Sequence, residues 1–359
     1  MTHLHDASIR IIRAGQASGG GYVASPTFSQ YGYSWLRDGT WIAYAMDVVG
    51  QHDSARRFYE WVGRTLSNYQ AHVADLVAKL GRGETLLESD YLPTRFTLDG
   101  AQEADEWPNF QLDGYGTWLW GAVEHIRLTD APDFWQKLRP AITLTVAYLN
   151  ALWQSPNYDC WEEHRDQIHM STLAAIYGGL KAVQQIEPML VPNQLPHHIR
   201  TYALQHGIAS EGHFMKYLGN AEVDANLLWT ALPYGLVDIH DPIFTKTLAK
   251  IERDLHYPDG GVYRYRADVY YGGGEWLLLA AWLGWAYVEL GRRSEAQQIL
   301  HWIEAQAYPT GEMPEQVSEH LLAASHYPGW VERWGTSACP LLWSHAMYLI
   351  LETLLKGTV

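Results

Sequence analysis

Apolar helical stretches alternate with amphipathic ones along almost the whole chain, and this alternation limits the fold more than any other feature. Periodicity near 3.6 residues dominates, and two-residue alternation is scarce. Segments 38–49, 110–128, 169–186, 223–234, 275–290 and 337–355 are rich in Ala, Leu, Trp and Gly. Between them run 6–14, 53–80, 131–153, 192–206, 242–255 and 294–306, which carry more charge. A helix that is apolar on every side must be buried, whereas one with a single apolar face borders solvent. About twelve helices joined in hairpins therefore sort into an inner and an outer ring. The expected fold is all-α, an (α/α)6 barrel or six-hairpin toroid, with residues 1–359 as a single domain.

The loops share one regularity. Polar and aromatic residues cluster at 31–38, 106–113, 161–163, 211–224, 260–276 and 312–335, each time ahead of an expected inner helix. In an alternating barrel such loops all open at one end. The turns at the other end, such as Gly50-Gln51 and Gly291-Arg292, are short and plain. Binding residues concentrate on rich loops held by a rigid scaffold, so the first end is where function is expected.

Composition narrows the ligand. The chain holds 17 Trp and 23 Tyr against 7 Phe, an excess of flat rings with a polar tip, suited to stacking on sugars. The same rings could equally fill a helical core. A formal net charge of −15 argues against nucleic acid or an anionic membrane as partner. It suits a neutral substrate cleaved by carboxylates. Cys160 and Cys339 form no disulfide framework and no zinc motif. Residues 1–21 contain no apolar signal core, and no run is apolar for about 18 residues. A cytoplasmic location is expected.

The chemistry centres on two acidic stretches. Cys160-Trp161-Glu162-Glu163-His164 sits mid-chain ahead of an apolar helix, and Met313-Pro314-Glu315-Gln316 lies far downstream. Glycoside cleavage needs an acid for the leaving oxygen and a second carboxylate across the sugar. A Trp and a neighbouring carboxylate can keep Glu162 protonated near neutral pH. On residues alone the plainer account stays open: two acids favoured by the dipole of the following helix. Arg37-Asp38 could grip a sugar end, Asp accepting hydroxyls and Arg donating to them. It could also be a helix-capping Asp beside its ion-pair partner. Gly272-Gly273-Gly274 follows no strand and precedes no Lys-Ser/Thr, so a sharp turn fits better than a phosphate cradle. The histidines, among them His164, His169, His320, His326 and His345, lack metal-ligand spacing and read as structural groups. No Gly-x-Ser-x-Gly occurs. No metal and no cofactor are expected.

Taken together, five stretches resemble the glucoamylase family, glycoside hydrolase family 15. Tyr31-Gly32-Tyr33-Ser34-Trp35-Leu36-Arg37-Asp38 is similar to its substrate-end motif and Trp161-Glu162-Glu163 to its general-acid segment. Arg264-Tyr265-Arg266-Ala267-Asp268, running on to Trp276, resembles its subsite-arginine segment. Pro314-Glu315-Gln316 resembles its general-base segment and Leu341-Leu342-Trp343-Ser344 its closing helix. The order and approximate spacing agree from about residue 22 to 355.

The resemblance implies an exo-acting, inverting α-glucoside hydrolase. Glu162 would be the acid and Glu315 the base. Arg37, Asp38 and Arg264 would hold the non-reducing glucose, Tyr31, Trp35, Trp107 and Trp343 would line its site, and Trp161 would be a further substrate-binding residue. Glu163 would meet the next sugar. Without the β-sandwich of large bacterial members or a starch-binding module, short α-1,4- or α-1,6-linked oligosaccharides are the expected substrates. An α,α-trehalase of the same family is the alternative. Two rivals of other classes are a histidine-based sugar epimerase and a non-catalytic glycan-binding toroid. The carboxylate pair argues against both.

Overall fold

The computed structural model describes residues 3–102, 107–258 and 260–357. Its helices, in chain order, are α1 (His3–Ala14), α2 (Leu36–Val48), α3 (His52–Ser67), α4 (Gln70–Gly81), α5 (Asp113–Thr129), α6 (Pro132–Leu152) and α7 (Met170–Ile186). There follow α8 (Leu195–His206), α9 (Pro242–Leu255), α10 (Leu277–Glu289), α11 (Arg293–Ala305), α12 (Tyr327–Trp334) and α13 (Leu342–Lys356). A short 3-10 helix, Ala225–Thr230, stands between α8 and α9.

The inner elements close on themselves. Helix α2 packs on α5, α5 on α7, α7 on Ala225–Thr230, that segment on α10, α10 on α13, and α13 back on α2. Helices α1, α3, α6, α8, α9 and α11 each lie outside one of these. This is the expected (α/α)6 barrel. The cause is visible in single helices. Helix α10 is apolar on every side and is buried from Leu277 to Tyr287. Helix α3 buries Phe58, Tyr59, Trp61, Val62 and Leu66, and turns Arg56, Arg57 and Arg64 outward, as a one-faced helix must.

Four sequence expectations needed correction. The expected helix 53–80 is two helices, because the chain turns at Asn68-Tyr69 and Tyr69 sets its ring edge-on to Phe96 at 6.1 Å. The expected inner helix 223–234 is only the six-residue segment Ala225–Thr230. Pro233 lacks the N–H that a continuing helix would need. The last helix begins at Leu342 rather than 337, and the residue before a proline such as Pro340 is disfavoured in helical geometry. Finally, the expected loop 312–335 contains α12.

Two very short antiparallel pairs pin the loops at the functional end. Strand β1 (Ser34–Trp35) pairs with β2 (Arg95–Phe96), and β3 (Glu275–Trp276) with β4 (Gln316–Val317). β1 runs directly into α2 and β3 into α10, so each pair fixes the entry to an inner helix. The glycine run 272–274 behaves as turn chemistry: Gly272 and Gly273 take φ of 77° and 69°. Buried indoles fill the barrel axis. Trp41 lies 4.5 Å from Trp282 and 5.0 Å from Trp120, and Trp282 lies 6.0 Å from Trp343. Among the described residues no helix is long and apolar enough to cross a membrane.

Helix α5 crosses α7 with backbone close against backbone. A Cβ on Gly179 would come 2.2 Å from the Gly116 carbonyl oxygen, and one on Gly116 would come 2.4 Å from that of Ala175. Backbone cannot yield as a side chain can. Gly179→Ala should therefore destabilise the protein by roughly 1–3 kcal/mol or more, read as a lower thermal midpoint. An unchanged midpoint would contradict this backbone-to-backbone packing.

Candidate active site

Every residue nominated from the sequence, Tyr31, Trp35, Arg37, Asp38, Trp107, Trp161, Glu162, Glu163, Arg264, Glu315 and Trp343, lines one cavity of about 400 Å³. They arrive on the loops leading into α2, α5, α7, α10 and α13 or, for Arg37, Asp38 and Trp343, on the first turn of α2 or α13. The sixth loop, leading into Ala225–Thr230, stands behind the wall. Glu106, at the start of the 106–113 cluster, lies outside the described residues.

The floor is built around Arg37. Its guanidinium donates to Gln111 Oε1 at 2.9 Å and Asp113 Oδ2 at 3.2 Å, and its Nε lies 3.2 Å from Asp38 Oδ2. It also sits 5.4 Å from the Trp343 ring. Asp38 is not the helix cap, a position held by Trp35. Burial pushes the Asp38 carboxyl up to about 6 against the pull of Arg37. Gln111 Nε2 and Trp343 Nε1 are buried without a hydrogen-bond partner, and Arg37 Nε and Asp38 Oδ2 meet as an ion pair without hydrogen-bond geometry. Buried polar atoms are normally paired, and a ring of hydroxyls matches this mixture of donors and acceptors.

The acid-bearing loop is held by Asp159, whose Oδ1 accepts from the backbone N–H of Trp161 at 3.0 Å and of Glu163 at 2.9 Å. Inside that turn Glu162 takes φ of 66°, uncommon for a residue with a side chain. Helix α7 begins only at Met170, so the dipole account of these acids does not hold in sequence terms. Trp35 Nε1 donates to Glu162 Oε1 at 2.6 Å.

Glu315 comes from the long stretch between α11 and α12. Its N–H donates to the Ala338 carbonyl at 2.8 Å, Ser344 Oγ donates to the Pro314 carbonyl at 2.9 Å, and β4 follows at once. Its carboxyl is buried, and Oε2 has no hydrogen-bond partner. Beside it the hydroxyls of Tyr31 and Tyr270 are joined at 2.9 Å.

Burial raises both carboxyl groups, Glu315 to about 7. Arg37 and the indoles of Trp35 and Trp107 oppose the rise at Glu162; Tyr31, Arg264 and Tyr270 oppose it at Glu315. The free protein thus gives Glu315 a value near neutrality, which by itself does not mark it as the base. Substrate alters the balance. A glycosidic oxygen only accepts, so it favours a protonated Glu162; a water donating to Glu315 favours its carboxylate.

On the outer side, Arg264 Nε donates to Asp268 Oδ2 at 2.7 Å, its Nη2 donates to Glu163 Oε1 at 3.3 Å, and Tyr265 donates its hydroxyl to Glu163. The rings of Trp161 and Trp276 lie 5.3 Å apart, tilted by 54°. Asp159, Glu163 and His164 bring potential ligand atoms within 4.8 Å of one another, and the Lys216 ammonium lies beside Asp159 and the neighbouring Asp224. His169, His320 and His345 are hydrogen-bonded within the fold, as expected.

The sequence reading missed several groups. Tyr270 and Trp276 lay inside a quoted motif yet were not singled out. Asp159, two residues before Trp161, carried a legible turn signal. Trp330 and Trp334 of α12 also line the cavity, and their aromatic run preceded by Pro328 was the available cue. Nothing in the sequence pointed to Gln111 or Lys216.

Comparison with known proteins identifies the family. Residues 4–352 match the model of the glycosyl hydrolases family 15, and the chain belongs to that family: it is a glycoside hydrolase. An isomaltose glucohydrolase of Kribbella flavida is 44% identical over 361 aligned residues, covering 98% of this chain and 93% of the relative. Trehalase 1 of Sulfolobus acidocaldarius is 28% identical over 75% of this chain, which spans 48% of that protein. Among solved structures, a glycosidase superposes with a TM-score of 0.94 at 43% identity, covering 99% of this chain and 96% of the other. A bacterial glucoamylase complexed with acarbose gives 0.76 at 18% identity, over 99% of this chain and 56% of its own, which supports the fold alone.

The raised value of Glu315 has a consequence for stability. A carboxyl whose folded value exceeds its unfolded one binds its proton more tightly in the folded chain. It therefore costs stability as pH rises from 4.5 to about 7. Glu315→Gln should stabilise the protein at pH 8 by up to about 3 kcal/mol relative to its effect at pH 4, measured by denaturant unfolding at both pH values. An equal effect at the two would contradict a desolvated Glu315.

Proposed function

We propose that this protein is an inverting exo-glucohydrolase that removes glucose from the non-reducing end of short α-glucosides, with the α-1,6 linkage of isomaltose preferred. The observation that carries the reading is one cavity holding Glu162 and Glu315 above a polar floor closed by Trp343. Trp343 backs onto Trp229 and Trp282 of the core, so a sugar chain meets a wall there and one terminal residue is enclosed. The similarity to an isomaltose glucohydrolase supports the choice of linkage.

In this reading Arg37, Asp38 and Arg264 bind the terminal glucose by its hydroxyls. Glu162, protonated, gives its proton to the glycosidic oxygen as the bond to the anomeric carbon breaks. Glu315, ionised, takes a proton from a water that attacks that carbon from the opposite face. The product is β-glucose, and the two carboxyl groups exchange roles of charge, to be reset through solvent. Inversion calls for a separation of about 6.5–9.5 Å, room for the water. Desolvation strengthens every charge interaction in the site. Glu163 and Trp161 meet the departing sugar.

Two tests follow from this chemistry. Glu162→Gln and Glu315→Gln should each lower kcat on isomaltose by roughly 10²–10⁴-fold, and turnover retained in either would remove that residue from its role. Proton NMR of the enzyme with isomaltose, maltose and trehalose should show β-glucose appearing first, fastest from isomaltose. Fastest release from trehalose would favour the trehalase alternative, and α-glucose as first product would overturn inversion.

A further inference from the structure

Behind the wall formed by Trp161 and Glu163 lies a buried ammonium group that the chemistry above does not use. Lys216 has a side chain only 4% exposed. Its Nζ lies 3.0 Å from Asp224 Oδ2, 3.9 Å from Asp159 Oδ2 and 3.1 Å from the centre of the Tyr265 ring.

Each of these neighbours holds a part of the wall. Asp224 Oδ2 accepts the Trp161 indole N–H at 3.0 Å. Asp159 Oδ1 accepts the backbone N–H groups of Trp161 and Glu163. Tyr265 donates its hydroxyl to Glu163. One positive charge is thus common to the supports of a ring, a loop and a carboxylate. The main chain of Lys216 is itself fixed, its N–H donating to the Glu222 carbonyl at 2.9 Å.

Stability alone is a poor reason for this arrangement. Burying an ammonium between two carboxylates carries a desolvation cost that apolar packing would avoid. Without the lysine, two buried aspartates would stand near each other unneutralised. Either would then take up a proton or shift, and the indole and the loop would shift with it.

We propose that Lys216 is a positioning residue for the leaving-group side of the site: it fixes Trp161 and Glu163 where the departing sugar binds, without touching substrate. The proposal rests on the glucohydrolase reading above. It predicts that the loss depends on whether the leaving group is a sugar.

The test compares Lys216→Met, which keeps length and removes charge, on isomaltose and on α-D-glucosyl fluoride, whose leaving group has no sugar to hold. kcat/KM on isomaltose should fall about tenfold or more, with a raised KM, while that on the fluoride falls no more than about threefold. Lys216→Arg should recover part of the isomaltose loss. Should Lys216→Met fail to fold, Tyr265→Phe removes the hydroxyl on Glu163 and should show the same dependence on the leaving group. Equal losses on both substrates in a folded variant, or no loss on either, would overturn the proposal. Wild-type protein that hydrolyses neither compound would instead overturn the glucohydrolase reading, and the positioning role with it.

Discussion

Six inner elements closed in a ring leave the chain little freedom over where its entry loops go. Each inner element must be entered from the same end, because each is reached by an outer element running the other way. Residues more than a hundred positions apart, such as Trp35 and Glu162, therefore meet within hydrogen-bond distance. The short β pairs then act at the points of entry, holding the backbone where the barrel alone would leave it loose.

The same closure explains why the acids are unusual. The barrel axis is filled by indoles, so the cavity rests on an apolar base and its carboxyl groups are poorly hydrated. Desolvation raises Asp38, Asp159, Glu162 and Glu315 together. Different local partners oppose the rise at the two glutamates: the Arg37 guanidinium and indole N–H groups at Glu162, tyrosine hydroxyls and the Arg264 guanidinium at Glu315. Under the proposed chemistry the unfavourable charges are an exchange of stability for function.

Much of this was legible in the sequence, for physical reasons. Apolar cylinders such as 275–290 can only be interior, so the alternation of helix types carried the barrel. The motifs around Arg37, Glu162, Arg264 and Glu315 lie on loops whose common direction follows from that alternation. What stayed hidden depends on tertiary context. The inner segment at 225–230 looks helical by composition, yet Pro233 shortens it and burial alone keeps it in the ring. Helix α12 has no buried residue and so lacks the apolar stripe by which helices are recognised. Lys216 is an ordinary lysine in sequence, and only the packing of three separate loops makes it a buried charge.

The central claim is that Glu162 and Glu315 stand on opposite faces of one glucosidic bond. A crystal structure of Glu162→Gln with isomaltose bound tests it directly. The account predicts the glycosidic oxygen within hydrogen-bond reach of the residue 162 side chain, and a water between Glu315 and the anomeric carbon on the far face. A sugar bound with its anomeric carbon turned away from Glu315, or with both side chains on the same face, would contradict it.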